Sequence, residues 1–468
     1  MRVRSALLAA LVLMAGPVPG MGQEPGAGHA PGTGDEPIRL TLDEAVQRAL
    51  GQNPGYRQTV RDLELNALDR RDLWLSVLPQ PQVDLLTTSM AWNRQRVAEG
   101  FFGEVTERDD AGTIHTSRTQ QRVGLFVTVD LAEFFQFRGL DETARVREAG
   151  ATAQGRELQA RVATAFLEVQ ERVQALELEE ELLERTRENR DLARRLYALA
   201  RRDRIDLVSM ELEVAEQEDA LERSRTELES ARLTLRTLMG DPELGAFQVE
   251  PEPLRPMDPE ALDEEALVRL GREASPRILQ AEVQRRAAAG TLSRNRARWL
   301  PTLTLSAGTT RQGFVQGGDA FFDLRPDAGW DRALSLSVRF PDLGLYFSRR
   351  TEQGRGEVDL RNREDALREV RTEVEREIRT LVRELRGAAR TLRTQERRTA
   401  LAEEQVELAR EAYRLGRLSY LELREAQGRA AEFRRQALAA QYTVERGRRE
   451  LEALLDAPLA AGPVDDGR

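Results

Sequence analysis

Residues able to do covalent chemistry are scarce in this sequence. His29 and His115 are its only histidines, and both fall in segments that read as loops. Cysteine is absent, which excludes disulfides, thiolate metal sites, cysteine nucleophiles and a lipid anchor on an amino-terminal cysteine. No phosphate-binding loop, no acid–base pair in a definable pocket and no metal cluster can be read along the chain. The acidic run at 177–181 reads as a solvated helix face. These absences predict a protein that is not an enzyme and holds no metal or cofactor. The formal charge of −10, with both signs interspersed, also argues against nucleic acid, which requires a basic face.

The elements that remain are unusual ones. Of the 468 residues 32% are charged and 5% aromatic, and 141–239 is rich in Ala, Glu, Leu and Arg, the mixture of long helices and coiled coils. All 70 basic side chains are arginine; codon bias accounts for this, and arginine also suits ion-pair lacing between helices. Arg2 and Arg4 precede a short apolar core at 6–15 and small residues at 16–22, the pattern of a signal peptide spanning 1–22. The segment 23–38 reads as flexible, and 457–468 as a tail. Beyond the leader no run approaches the ~20 apolar residues of a transmembrane helix. A membrane crossing by the mature chain would therefore need β-strands.

The chain is one unit written twice. Pro54 corresponds to Pro276 and Leu78-Pro79 to Leu300-Pro301 at one constant offset; Tyr197, Leu199, Leu207 and Leu238 correspond to Tyr413, Leu415, Leu423 and Leu454 at another. The repeats span 39–240 and 262–456, joined by a proline-rich linker at 241–261. Each predicts helix, strand, loop, strand, very long helix, turn, helix. The opening helix of the first repeat is expected over 41–75, with Thr41 as N-cap and Glu44 completing a capping box. The long helices, expected over 141–199 and 350–415, would be on the order of 90–100 Å long. Phe166, Val169, Val173, Leu176 and Leu183 follow steps of three and four with Glu180 interrupting, the seam of a supercoiled helix.

Strands are expected at about 82–91, 122–131, 302–311 and 332–341. Val123, Leu125, Val127, Val129 and Leu131 alternate with other residues, as do Leu303, Leu305 and Ala307, and Leu334, Leu336, Val338 and Phe340. The segment 83–90 alternates poorly. A soluble antiparallel sheet would share this period. Aromatic clusters at the strand ends (Phe134, Phe135 and Phe137; Tyr346 and Phe347) and long loops at about 92–121 and 312–331 favour a transmembrane barrel with an interfacial girdle. Four strands cannot close a barrel, eight close around side chains, and twelve leave a lumen. A channel thus needs at least three copies.

The order of these elements, "LTLDEAVQRALGQNP" at 40–54 and "YRLGRLSYLELREAQ" at 413–427 together resemble the TolC family of outer-membrane efflux channel proteins. The resemblance covers nearly all of the mature chain. It implies a mainly α protein with a membrane β-barrel: a homotrimer whose twelve-stranded barrel continues into a periplasmic helical tunnel, with two short helices stacked end to end beside each long one. It implies a passive exit duct of a tripartite efflux pump or type I secretion system. The partners would be outer-membrane lipid, a periplasmic adaptor and, through it, an inner-membrane pump. Tyr197, Leu199 and Ala200, and Tyr413, Leu415 and Gly416, would form the adaptor-docking tips, with the tyrosines equally readable as packed anchors. Ala200 departs from the glycine of the motif. Asp206, Glu422 and Glu425 would form a periplasmic aperture of acidic rings that favours cations, where crowding would ease protonation; solvated surface carboxylates are the plain alternative, and Ser209 stands where Glu425 would repeat. Rival readings are a periplasmic adaptor and a structural coiled-coil envelope protein. The cargo is not legible.

Overall fold

The computed structural model describes residues 38–78, 80–94, 97–99, 105–107, 113–130, 134–199, 204–254, 257–297, 301–316, 329–340 and 343–459. The leader at 1–22, the segment 23–37, His29, Ala200 and the tail beyond 459 lie outside these residues.

The first repeat comprises β1 (Ile38–Leu40), α1 (Leu42–Gln52), α2 (Pro54–Val77), β2 (Gln80–Arg94), β3 (Val97–Glu99), β4 (Val105–Glu107), β5 (Thr113–Asp130), α3 (Phe134–Ala198) and α4 (Arg204–Met239), and β6 (Phe247–Val249) follows in the linker. A 3-10 turn at Pro259–Ala261 leads to α5 (Glu264–Ala274), α6 (Pro276–Ala297), β7 (Thr302–Gln316), β8 (Trp330–Arg339), α7 (Leu343–Arg414) and α8 (Tyr420–Leu455). Apart from β1, β6 and the small β3–β4 hairpin, the second repeat follows the order of the first. Helices α3 and α7 have 65 and 72 residues. At about 1.5 Å per residue each is on the order of 100 Å long.

Several boundaries differ from expectation. The opening helix is two helices, α1 and α2, parted at Asn53, and its counterpart is parted at Ser275. Proline follows each break and pushes the residue before it out of helical geometry: Asn53 has ψ 120° and Ser275 ψ 123°. The long helices start earlier than expected, so Phe134, Phe135, Phe137, Tyr346 and Phe347 lie in their opening turns rather than at strand ends. The long loops are partly strand, since β2 reaches Arg94 and β5 begins at Thr113. His115 therefore sits in β5, opposite Trp92, and not in a loop. The poorly alternating segment is a strand carrying a β-bulge. Asp84 pairs with Arg122 and Thr87 with Gln120, so two residues face one, and the extra residue resets the period-two pattern.

Local signals hold the ends. Thr41 and Glu44 form the expected capping box, Glu44 N–H donating to Thr41 Oγ1 at 3.3 Å and Thr41 N–H to Glu44 Oε2 at 3.2 Å. Gly240, at φ 76°, ends α4, and the Asn53 amide donates to the Leu238 carbonyl at 3.0 Å, so α2 begins where α4 stops. Two apolar cores repeat. One gathers Leu40, Ala49, Val162, Phe166, Leu235, Met239 and Phe247; the other gathers Val268, Ile278, Val374, Ile378, Val382, Leu451 and Leu455. The linker is fastened across them. Strand β6 pairs parallel with β1, the Gln170 amide exchanges two hydrogen bonds with the Glu252 backbone, and the Arg386 guanidinium donates to the carbonyls of Pro259 and Leu262.

Three layers share one lateral order. In the sheet it is β2-β5-β7-β8, every pair antiparallel. Below it the order is α2-α3-α6-α7, and towards the far tip α4-α3-α8-α7. The molecule is an open wall with β2, α2 and α4 along one edge and β8 and α7 along the other.

Candidate functional site

At one end of the wall the sheet has two unlike faces. Direct pairing sets Leu125, Ala307 and Leu334 side by side, and likewise Leu303 with Val338, Leu305 with Leu336 and Val83 with Val123. This face is apolar and open, Leu334 being 76% and Leu336 68% exposed. The reverse face is polar: Ser306 and Ser335 hydroxyls meet at 2.6 Å, and the Arg118 guanidinium donates to Gln312 at 3.1 Å. Such a sheet can separate an apolar medium from water. Among the described residues the sheet is open and closes no barrel. No helix among the described residues is long and apolar enough to cross a membrane.

At the other end lie the two hairpin tips. Helix α7 stops at Gly416, whose φ of 72° only glycine adopts without strain. The Arg417 N–H donates to the Ala412 carbonyl at 2.9 Å and the Gly416 N–H to the Tyr413 carbonyl at 3.0 Å, satisfying the last turn. Ser419 then caps α8 in a box with Glu422. The Glu422 N–H donates to Ser419 Oγ at 3.3 Å, and the Ser419 N–H donates to Glu422 Oε2 at 2.9 Å. The Ser419 hydroxyl and N–H hold the Glu422 carboxyl below the usual carboxylate range. Within one chain this opposes the easier protonation expected of a crowded ring. Glu425 lies exposed one turn on, and Asp206 is partly buried in the first turn of α4.

The duplicated tyrosines part company. Tyr413 is 1% exposed and packs with Ala193, Met210, Tyr420 and Leu423, its ring 6.4 Å from that of Tyr420, edge to face. Tyr197 is 42% exposed. Tyr413 is thus a packed anchor that joins the hairpins, while Tyr197, Leu199 and Leu415 present surface. Among the aromatics, Phe347 is exposed.

The polar joint between the hairpins escapes sequence reading. The Tyr420 hydroxyl donates to Glu213 of α4. The Arg424 guanidinium donates to Glu216 at 3.0 Å and lies 3.8 Å from Glu213. Burial pushes the Glu213 carboxyl up, outweighing the Tyr420 hydrogen bond and the Arg424 charge. Burial, then Glu213, push the Tyr420 phenol far above its ordinary value, so it remains a donor. Ser419-x-x-Glu422 was a visible capping signal, but nothing local marks Glu213 as a partner of a residue some two hundred positions away. One level deeper, Glu179 corrects the view of 177–181 as wholly solvated. It is 6% exposed, accepts from Arg435 at 2.6 and 3.0 Å and from Gln217 at 2.5 Å. Burial alone would raise its pKa; the Arg435 hydrogen bond and charge, with Gln217, bring it below the usual range. A cavity of about 420 Å³ lies between the hairpins, lined by Asn189, Glu213, Gln217, Glu403, Arg434 and Arg435 among others.

Comparisons with known proteins agree with this geometry. The outer membrane efflux protein family model matches residues 267–457. No curated protein matches the sequence. A membrane protein from Pseudomonas aeruginosa superposes with a TM-score of 0.67 at 18% identity, covering 92% of this chain and 93% of that one. The open state of the Neisseria gonorrhoeae MtrE outer membrane channel gives 0.65 at 17% identity, covering 90% of each chain. The Vibrio cholerae outer membrane protein VceC gives 0.64 at 16%, covering 90% of this chain and 97% of that one. Residues 267–457 are an outer membrane efflux protein domain, and the chain as a whole has the fold of the TolC-family outer-membrane channels.

Proposed function

We propose that this protein is one subunit of a homotrimeric passive exit duct, seated by its sheet in the outer membrane and reaching through the periplasm with its helices. One observation carries this reading: an open four-stranded sheet with an apolar exposed face sits at the base of a wall of helices on the order of 100 Å long. Three such sheets make twelve strands, enough to leave a lumen. The duct is not an enzyme; an inner-membrane pump supplies the energy, reached through a periplasmic adaptor that docks at the tips. Exposed Tyr197, Leu199 and Leu415 supply the docking surface, and buried Tyr413 and the exposed turn at Gly416 shape it. A periplasmic adaptor is not favoured as an identity, because the hairpin is duplicated with strands at its base. Asp206, Glu422 and Glu425 form the acidic aperture around the threefold axis.

Reconstitution tests the reading. The protein purified in detergent should be a trimer and should conduct ions across a planar bilayer with cation preference. Glu422→Gln combined with Glu425→Gln should reduce that preference; unchanged selectivity removes the aperture role, and failure of the trimer to conduct removes the duct.

A further inference from the structure

The cavity of about 420 Å³ between the two hairpins of one chain has the size of a small-molecule site. All four helices wall it: α3 through Asn189, α4 through Glu213, α7 through Val406 and α8 through Ala430. Val406 and Ala430 are buried there, and Leu182 extends the same apolar lining.

Two polar groups of the lining go unanswered by the protein. Asn189 is only 9% exposed, yet no group among the described residues hydrogen-bonds its amide. A buried amide in that condition calls for a partner from outside the chain. Glu213 gives its Oε2 to the Tyr420 hydroxyl and to the Arg424 charge, whereas its Oε1 accepts from nothing among the described residues.

The charge balance says which ligand fits. Every arginine of the lining already holds a carboxylate: Arg185 meets Glu181 at 2.5 Å, Arg410 meets Glu407 at 3.4 Å, Arg435 meets Glu179 at 2.6 Å, and Arg434 meets Glu403. An anion would have to displace one of these. Glu404, exposed in the same lining, has no ion pair among the described residues, so the charge left open is negative.

We propose that the cavity is a binding site for an amphiphilic organic cation: a protonated amine or amidine held by Glu213 Oε1 and the Asn189 amide, with an apolar body lying on Leu182, Val406 and Ala430. An occupant touches the α3–α4 hairpin and the α7–α8 hairpin at once, and so holds them at one spacing. The site is distinct from the docking surface and the acidic aperture, and it does not rest on the trimeric-duct reading.

Three dyes of one shape test it. Near neutral pH, 9-aminoacridine is a cation, acridine is neutral and acridine-9-carboxylate is an anion. Equilibrium dialysis against the purified protein in non-ionic detergent, with detergent alone as the blank, should show one site per chain for the cation. Its affinity should exceed that of acridine by about tenfold or more, the effect of one charge-assisted hydrogen bond, and the anion should bind weakest. Equal affinity for cation and neutral dye, or preference for the anion, overturns the proposal. Gly428→Trp sets an indole in the lining from a position where an added Cβ meets no atom within 4 Å, and should abolish binding. Asn189→Leu keeps the volume, removes the amide and should weaken the cation about tenfold. Unchanged affinity in both variants places the dye elsewhere and overturns the site. In the parent protein, 9-aminoacridine should slow amide exchange over 182–189, 213–217 and 427–435. Slowing confined to the opening turns of α4 and α8 would put the cation on the acidic tip and overturn the proposal.

Discussion

Tyr420→Phe isolates the joint between the two hairpin tips of one chain. The substitution keeps the ring, and with it the edge-to-face contact to Tyr413 and the packing on Ala193, Met210 and Leu423. It removes one hydroxyl, the donor to Glu213. That carboxylate has a side chain only 21% exposed and is left with Arg424 at 3.8 Å, too far for a hydrogen bond. A hydrogen bond to a charged group contributes about 1.5–3 kcal/mol, so the docked arrangement of the tips should lose about 10- to 100-fold in population relative to the separated one. Amide hydrogen exchange on the purified protein in detergent reads this directly. Exchange in the opening turns of α4 and α8 should accelerate by about that factor. Protection around the cores that contain Phe166 and Ile378 should stay as it is, because those residues lie far along the helices from the tip. Unchanged exchange at the tip, or equal acceleration everywhere, refutes the assignment of this hydroxyl to the joint.

Glu213 should make the same joint sensitive to pH. Its carboxyl is raised in the folded chain, so its contribution is fully present below the ordinary glutamate value of 4.5 and is lost as pH rises through the raised one. Acidification through that window should slow exchange at the tip, and Glu213→Gln should abolish the dependence; a variant with the parent's pH profile sinks the idea. Glu422 has the opposite sign: its depressed carboxyl supports the α8 cap above the ordinary range, and that support fades as pH falls through the folded value, which the exchange of the Glu422 amide should follow. Gly416→Ala meets no neighbouring atom but must hold a left-handed backbone, costing about 1–2 kcal/mol. Faster exchange confined to the last turn of α7 is the expected result, and full protection there would contradict it. Leu336→Arg places a charge on the apolar face and should cost about 2–4 kcal/mol near the bilayer midplane. Insertion into lipid vesicles should fail for Leu336→Arg and survive Ser337→Arg on the polar face; equal insertion by both would argue against lipid contact.

Much of the architecture was legible because it is written in local code. Alternation marked the strands around Leu125, Leu305 and Leu336, and the register places those residues on one face. The capping box at Thr41 and Glu44 and the reversal at Gly416 followed from residue type alone. The breaks at Asn53 and Ser275 were equally local, since Pro54 and Pro276 stand immediately after them and a residue before proline is pushed out of helical geometry. The bulge between Asp84 and Thr87 was visible only as a lapse in alternation. The site at the tip was legible in part: the turn, Glu422 and Glu425 could be placed, whereas the fate of each tyrosine could not.

What the sequence determined by itself was the duplicated order of elements, the length of the helices and the two-faced sheet, because periodicity, capping and turn chemistry act over a few residues. Only the tertiary structure decided that Tyr413 is buried while Tyr197 is not, that Glu179 leaves solvent for Arg435, and that Glu213 meets Tyr420. Those outcomes depend on which helix faces converge across the wall. Two copies of one local pattern acquire different surroundings once they stand on different sides of it, and burial, not spacing, then sets the charge and exposure of each side chain.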